Sequence, residues 1–408
     1  MTARRSSGTL EGLRVLDLTQ MLAGPFCTMM LADQGAEVIK IEPPDGDGTR
    51  HMGPFHPDDC MRAFGGYFQS VNRNKASLAL DLKRPQGREV FLALLEGAQV
   101  VVENFRAGVM DRLGLAYERL RQHNPRIVYA SIRGFGDPQT GTSPYVDWPA
   151  FDVVAQAMGG IMAITGADGR TPTKIGPGVG DTIPAVMAAF GIMAAVWRAQ
   201  RTGEGQYVDV AMVDSVLSMC ERMVHQYSYG GKVSGPEGNR HPFLAPFGLL
   251  PAKDGFIALA CHKDEFWIRL CQLIERPDLI ADPRFSSQQE RATHQSAVYA
   301  EIGAYTAQRT RRELAALLGG HVPFGPVYDV TDIVTDPHFR ARDMVVELDH
   351  PGLDQKLAVA GVPIRFSDTP GKIWRRAPLL GEHTDEVLRS CGLSAPAIAD
   401  LRAKGIVK

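Results

Sequence analysis

The chain has 408 residues, 44% of them apolar and 22% charged, with a net charge of −2. That length exceeds one ordinary core and implies two or three domains. The near-neutral balance argues against a nucleic-acid partner, which would need a basic excess or a basic face. Six cysteines (Cys27, Cys60, Cys220, Cys261, Cys271, Cys391) are scattered with no CxxC and no metal-ligand spacing, so reduced thiols, a cytoplasmic location and no metal site are expected. The opening MTARRSSGTLEG has no apolar leader, and the long apolar run 183–196 falls short of a membrane span and carries glycine, so no membrane partner is expected.

Residues 14–41 have the pattern of a βαβ unit: a strand at 14–18 (RVLDL), a turn at 23–25 (AGP), a helix over 26–34 and a second strand at 36–42 (AEVIKIE). Further strands are predicted at 77–82, 98–103 and 127–132, separated by helices at 85–96 and 117–123. Short apolar strands alternating with helices imply a parallel sheet with right-handed crossovers, so the first half is expected to be a doubly wound α/β domain. No GxGxxG opens its turns, which argues against a nicotinamide or flavin cofactor.

The stretch from 175 to 214 is the most informative. A loop with Gly176, Gly178 and Gly180 leads to Asp181, then to a long small-residue helix ending near Gly203 and Gly205, then to a strand at 206–212. Asp181 is expected to cap that helix, with Pro184 in its first turn. The helix dipole should hold the carboxylate ionised, and glycines on its flanks leave room for a large ligand. Such a carboxylate suits nucleophilic catalysis.

A helix is predicted from 212 through 224, followed by a glycine- and proline-rich loop, 229–246, that marks a domain boundary. Beyond it come short strands at 248–250, 256–260, 322–327 and 345–348. Helices are expected at 264–274, 288–307 and 310–318, with a surface helix pair within 376–408. The expected arrangement is a large α/β domain from 1–225 and 350–408 with a smaller α+β domain from 226–349.

Basic and polar groups recur at strand ends of the first domain: Arg73, Lys75, Lys83, Asn104, Arg106, Arg112 and Arg133. Singly, each is an ordinary solvated charge. Together they suit a diphosphate-bearing ligand.

The chain resembles the family III CoA-transferases, the group of formyl-CoA, carnitine and succinyl-CoA-dependent enzymes. The resemblance rests on LEGLRVLDLTQMLAGPFCTMMLADQGAEVIKIEPP (10–44), NRNKASLALDLK (72–83), VVENFRAGVMDRLGL (101–115), YASIRGFG (129–136), GDTIPAVMAAFGIMAAVWRAQRTGEGQYVDVAMVD (180–214) and APLLGEHTDEVL (377–388). It implies Asp181 as the nucleophile, coenzyme A thioesters as substrates with no tightly bound cofactor, and a carboxylic acid as the second substrate. It implies CoA contacts at Leu22, Ala23, Leu80 to Lys83, Asn104, Phe105, Arg106, Arg112 and Arg133, and an interlocked, ring-like homodimer.

The chain departs from the formyl-CoA members at Leu22, at Pro43 and in the segment GNRHPF (238–243), where those enzymes carry a glycine-only loop. That segment is similar to the succinyl-CoA members, so Arg240 or His241 is expected to face an acceptor's second carboxylate. A 2-methylacyl-CoA racemase is the alternative within the same superfamily, but Phe151 stands where its histidine would be, and a phenyl ring moves no proton. A catalytically silent CoA-binding protein is the third reading, disfavoured by the intact loop around Asp181.

Overall fold

In the computed structural model, which describes residues 8–408, six short strands form one parallel sheet. Residues 1–7, part of the opening stretch read as leaderless, lie outside the described residues. In chain order the elements are β1 (Arg14–Asp17), α1 (Ala23–Asp33), β2 (Glu37–Glu42), α2 (Gly66–Asn72), β3 (Ala76–Ala79), α3 (Pro85–Glu96) and β4 (Val100–Glu103). Then come α4 (Val109–Arg112), α5 (Tyr117–His123), β5 (Val128–Arg133), α6 (Asp152–Met158), α7 (Val179–Thr202), β6 (Tyr207–Ala211) and α8 (Met212–Met219). The strand order is β3-β2-β1-β4-β5-β6, as expected for a doubly wound fold. Leu16 pairs with Ile39 on one side and Val101 on the other, and all three are fully buried. A strand covered on both faces buries residues on both, so its apolar positions need not alternate, and the charged residues near the ends of β1 and β2, Asp17, Lys40 and Glu42, are buried with them. The order reverses between β1 and β4, so the loops leaving those two strands diverge and open a crevice.

Near the strand ends, charged side chains are compensated internally. Lys75 meets Asp17 at 2.9 Å, Lys40 meets Asp47 at 2.9 Å and Arg73 meets Asp33 at 2.8 Å, all buried. Burial brings the Lys75 ammonium down to about 8 even with Asp17 beside it. The sequence reading of Arg73 and Lys75 as ligand contacts is therefore corrected: a buried cation needs its partner, and each already has one.

The described residues divide into two compact units, 8–161 with 175–222 and 337–408, and 162–174 with 223–336. The first also takes in 337–349, and the second takes in 162–174, segments the sequence had assigned the other way. The C-terminal helices Thr384–Ser390 and Ala395–Ala403 return to the first unit, where Leu388, Ile398 and Ile406 join the core beside Leu78 and Leu80. A hairpin of Val345–Leu348 and Leu357–Ala360 belongs to the same unit.

The second unit is α+β. Phe247–Ala252, Gly255–Ala260 and Phe324–Pro326 form an antiparallel sheet, packed through Leu250, Ile257 and Leu259 against Trp267, Leu270, Val298 and Leu314. The helix predicted over 212–224 is two, α8 and Met223–Gly230, with the break at Cys220, whose ψ of 59° is not helical. The helix predicted over 288–307 likewise divides at His294, where ψ is 32°.

α7 runs 24 residues and is long and apolar enough in composition to cross a membrane, longer than the run the sequence suggested. It is the core helix of its unit, packed on α1, α8, β5 and β6. It ends where Gly203 takes φ 77° and returns its N–H to the Ala199 carbonyl at 2.9 Å.

Candidate active site

The crevice between the loops after β1 and β4 deepens into a cavity of about 450 Å³. Gln20 to Ala23 form one wall and Asn104 to Ala107 another, Arg112 and Arg133 add charge, and Tyr67, Trp148 and Phe151 add aromatic surface. Asp181 lies at this cavity too, on the first turn of α7.

Asp181 is not the helix cap expected from the sequence. α7 starts two residues earlier, with Gly178 as its N-cap and Pro184 in its second turn. The cap is supplied from outside the helix: the Gly180 N–H donates to Asp152 Oδ1 at 2.8 Å. Asp152 opens α6 and is itself held by Gln156, whose Nε2 donates to both carboxylate oxygens at 2.9 and 3.0 Å. Gln156 Oε1 accepts the Ile175 N–H at 3.0 Å, so one buried amide ties both ends of the glycine loop to α6. Only glycine fits at 180, since a Cβ there would stand 2.3 Å from the Asp152 carbonyl oxygen.

With capping delegated to Asp152, no donor among the described residues reaches the Asp181 carboxylate. Burial first, and the Asp152 charge second, push its pKa up to about 7. The helix dipole was expected to hold this carboxylate ionised; burial and the like charge of Asp152 act in the opposite direction and raise its proton affinity. A carboxylate that gains its charge near neutrality and is hydrogen-bonded to nothing is a ready nucleophile.

Of the residues singled out in the sequence, Leu22, Ala23, Asn104, Phe105, Arg106, Arg112, Arg133 and Asp181 come together on this cavity. Arg106 and Arg112 are exposed and, among the described residues, have no carboxylate partner, which suits them to phosphate groups. Arg133 is different. It pairs with Glu103 at 2.8 Å and with Asp137, so its charge is already matched. Leu80 is 1% exposed and belongs to the core, and Lys83 is exposed on the turn after β3. Arg240 and His241 belong to the second unit. There the Arg240 guanidinium lies 4.1 Å from the centre of the Tyr299 ring, and the His241 N–H donates to the Phe247 carbonyl at 2.9 Å.

Three residues were missed. Asp152 and Gln156 sit at i and i+4 on a helix the sequence reading left unassigned, and that spacing was the available signal. Tyr67 precedes NRNK on α2. Burial, then the Asp181 charge, push its hydroxyl up to about 12, so it remains a hydrogen-bond donor on the cavity wall.

The model of CoA-transferase family III matches residues 10–384. The chain is 50% identical over 386 residues to the succinyl-CoA:mesaconate CoA-transferase of Haloarcula hispanica, covering 95% of this chain and 97% of that one. It is 36% identical over 411 residues to the succinyl-CoA–D-citramalate CoA-transferase of Chloroflexus aurantiacus, covering 100% of both. Among solved structures, a CAIB/BAIF family protein from Brucella suis superposes with a TM-score of 0.83 at 36% identity, covering 94% of this chain and 99% of that one.

Proposed function

The chain belongs to CoA-transferase family III, and from that premise we propose that it moves coenzyme A from succinyl-CoA to a dicarboxylic or hydroxy acid by covalent catalysis on Asp181. The observation that carries this reading is the Asp181 carboxylate, which opens on the cavity and has no hydrogen-bond partner among the described residues. Both relatives named above use a succinyl-CoA donor according to their names, and mesaconate and citramalate each bear two carboxylates.

An oxygen of Asp181 attacks the thioester carbonyl, the C–S bond breaks, and CoA leaves as its thiolate, giving a mixed anhydride. The thiolate adds to the Asp181 carbonyl and expels the donor acid as a carboxylate, leaving an aspartyl thioester. The acceptor carboxylate displaces the thiolate to form a second anhydride. The thiolate then attacks the acceptor's acyl carbon, releasing the new thioester and restoring Asp181. No proton is gained or lost, so the site needs to exclude water rather than supply an acid. The Tyr67 hydroxyl on the cavity wall is a donor available to the developing oxyanions.

Incubation of succinyl-CoA with a panel of mono- and dicarboxylic acids, read by mass spectrometry, tests the reading. New acyl-CoA must appear only when an acid is added. No thioester exchange with any acid would leave CoA binding alone, and label exchange at the α-carbon of a 2-methylacyl-CoA would point to racemisation. Phe151 at the cavity speaks against the latter.

We assign the acceptor's second carboxylate to Arg240, which is exposed and, among the described residues, has no acidic partner. Arg240→Ala is expected to raise KM for a diacid acceptor about tenfold more than for a monoacid, the cost of one charge-assisted hydrogen bond. Equal losses on both acids would remove Arg240 from substrate recognition.

We also propose an interlocked homodimer. On α7, Val186, Phe190 and Trp197 are 45%, 76% and 63% exposed, spaced to share one face of the helix that carries Asp181. Large apolar side chains grouped in this way mark an association surface. Light scattering should give the mass of two chains at micromolar concentration, and the mass of one chain would reject the dimer.

A further inference from the structure

The loop from β1 to α1 is held on both sides of Met21 by hydrogen bonds to its backbone. The buried Lys40 ammonium donates to the Thr19 carbonyl at 2.8 Å. Next, the Gln20 N–H donates to Asn104 Oδ1 at 2.8 Å, and Asn104 Nδ2 donates back to the Gln20 carbonyl at 2.7 Å. At the other end α1 has begun, with the Phe26 N–H donating to the Leu22 carbonyl at 2.8 Å. Between these anchors Met21 takes φ 66°, the left-handed region that a residue with a side chain avoids. The following residue touches the catalytic loop: a Cβ on Gly178 would lie 3.1 Å from Leu22 Cδ2.

We propose that Asn104 is a positioning residue: its amide, bonded twice to the Gln20 backbone, holds Met21 in its left-handed turn so that Leu22 buttresses the loop carrying Asp181. A primary amide presents one acceptor and one donor side by side, matching the N–H and the carbonyl of one residue, which explains asparagine at this place. Its influence on acyl transfer runs through the loop, whereas the sequence suggested a direct contact with coenzyme A. The kinetic part of this inference rests on the transferase reading above; the structural part does not.

Hydrogen exchange followed by mass spectrometry, with kcat and KM measured in parallel, tests it. In Asn104→Ala, peptides covering 18–24 and 175–181 should exchange faster, and kcat should fall about tenfold or more as Asp181 loses its fixed position. Adding Met21→Gly to Asn104→Ala should recover roughly threefold of the rate and part of the protection, because glycine occupies the left-handed turn without a clamp. Met21→Val, with Asn104 intact, should loosen the same two peptides from the opposite side, since a β-branched residue resists that backbone conformation.

A rise in KM for acyl-CoA with kcat and exchange unchanged would show direct contact and overturn the proposal. So would the absence of any recovery by Met21→Gly. Should Asn104→Ala fail to fold, Met21→Val decides the matter, because unchanged exchange at 175–181 would sever Met21 from the catalytic loop. A wild-type protein with no transferase activity would overturn the proposed function, while exchange at 18–24 would still decide the clamp.

Discussion

Asp181→Asn should abolish CoA transfer, with a loss of at least about a thousandfold, because every step of the proposed cycle forms or breaks a bond to that carboxylate. The variant should fold, since Asp152 supplies the carboxylate that caps the Gly180 N–H and, among the described residues, the Asp181 side chain makes no hydrogen bond that an amide would break. Its stability should respond to pH in a defined direction. A carboxyl whose pKa rises on folding from 3.8 to about 7 keeps a proton that the unfolded chain has released, so wild-type stability falls as pH rises through that window. An amide at this position has no proton to lose. The variant should therefore have a higher Tm than wild type at pH 8 and lose that advantage near pH 4. In wild type, incubation with acyl-CoA and hydroxylamine should leave a hydroxamate on the peptide containing Asp181. Near-normal turnover in Asp181→Asn, or label on another peptide, would remove Asp181 from the chemistry.

The elements that the sequence showed clearly are those whose causes are local. RVLDL and AEVIKIE form parallel strands because both faces are covered, so their apolar runs needed no alternation to be recognised. The glycine loop and Asp181 were legible for a similar reason, since close approach needs glycine and a helix start needs polar groups. Asp152 was not legible in this way. Its task is to accept a hydrogen bond from Gly180, 28 residues away, and nothing within a local window announces that pairing. The same limit misassigned Arg73 and Lys75. A basic residue at a strand end suits a phosphate equally well whether or not an aspartate 40 or 58 residues away has already taken its charge. The helix breaks at Cys220 and His294 also went unseen, since neither residue is a glycine or a proline.

Replacing Asp152 should separate geometry from charge at the site. Asp152→Asn keeps an oxygen for the Gly180 N–H and for Gln156, so the glycine loop retains its path, but it removes the negative charge that opposes ionisation of Asp181. Burial, the larger cause of the raised pKa, remains. The Asp181 pKa should therefore move down from about 7 without returning to its ordinary range, and the acid limb of kcat/KM should move to lower pH by the same amount. Below pH 7 this variant should transfer CoA faster than wild type relative to its own plateau. Asp152→Ala removes the charge and the acceptor together. The Gly180 N–H is then left without its partner, Gln156 loses both of its contacts to the carboxylate, and the end of the loop next to Asp181 is released while Ile175 stays bonded to Gln156. A displacement of about 1 Å at a reacting atom costs on the order of a hundredfold, so the plateau rate should fall by about that factor. The pH limb should shift as it does in Asp152→Asn. The two variants thus share a pH shift and differ in rate. Equal rate losses in both would make the charge itself the requirement, with Asp152 acting on the substrate or the thiolate, and an unmoved pH limb in both would disconnect Asp152 from the ionisation of Asp181.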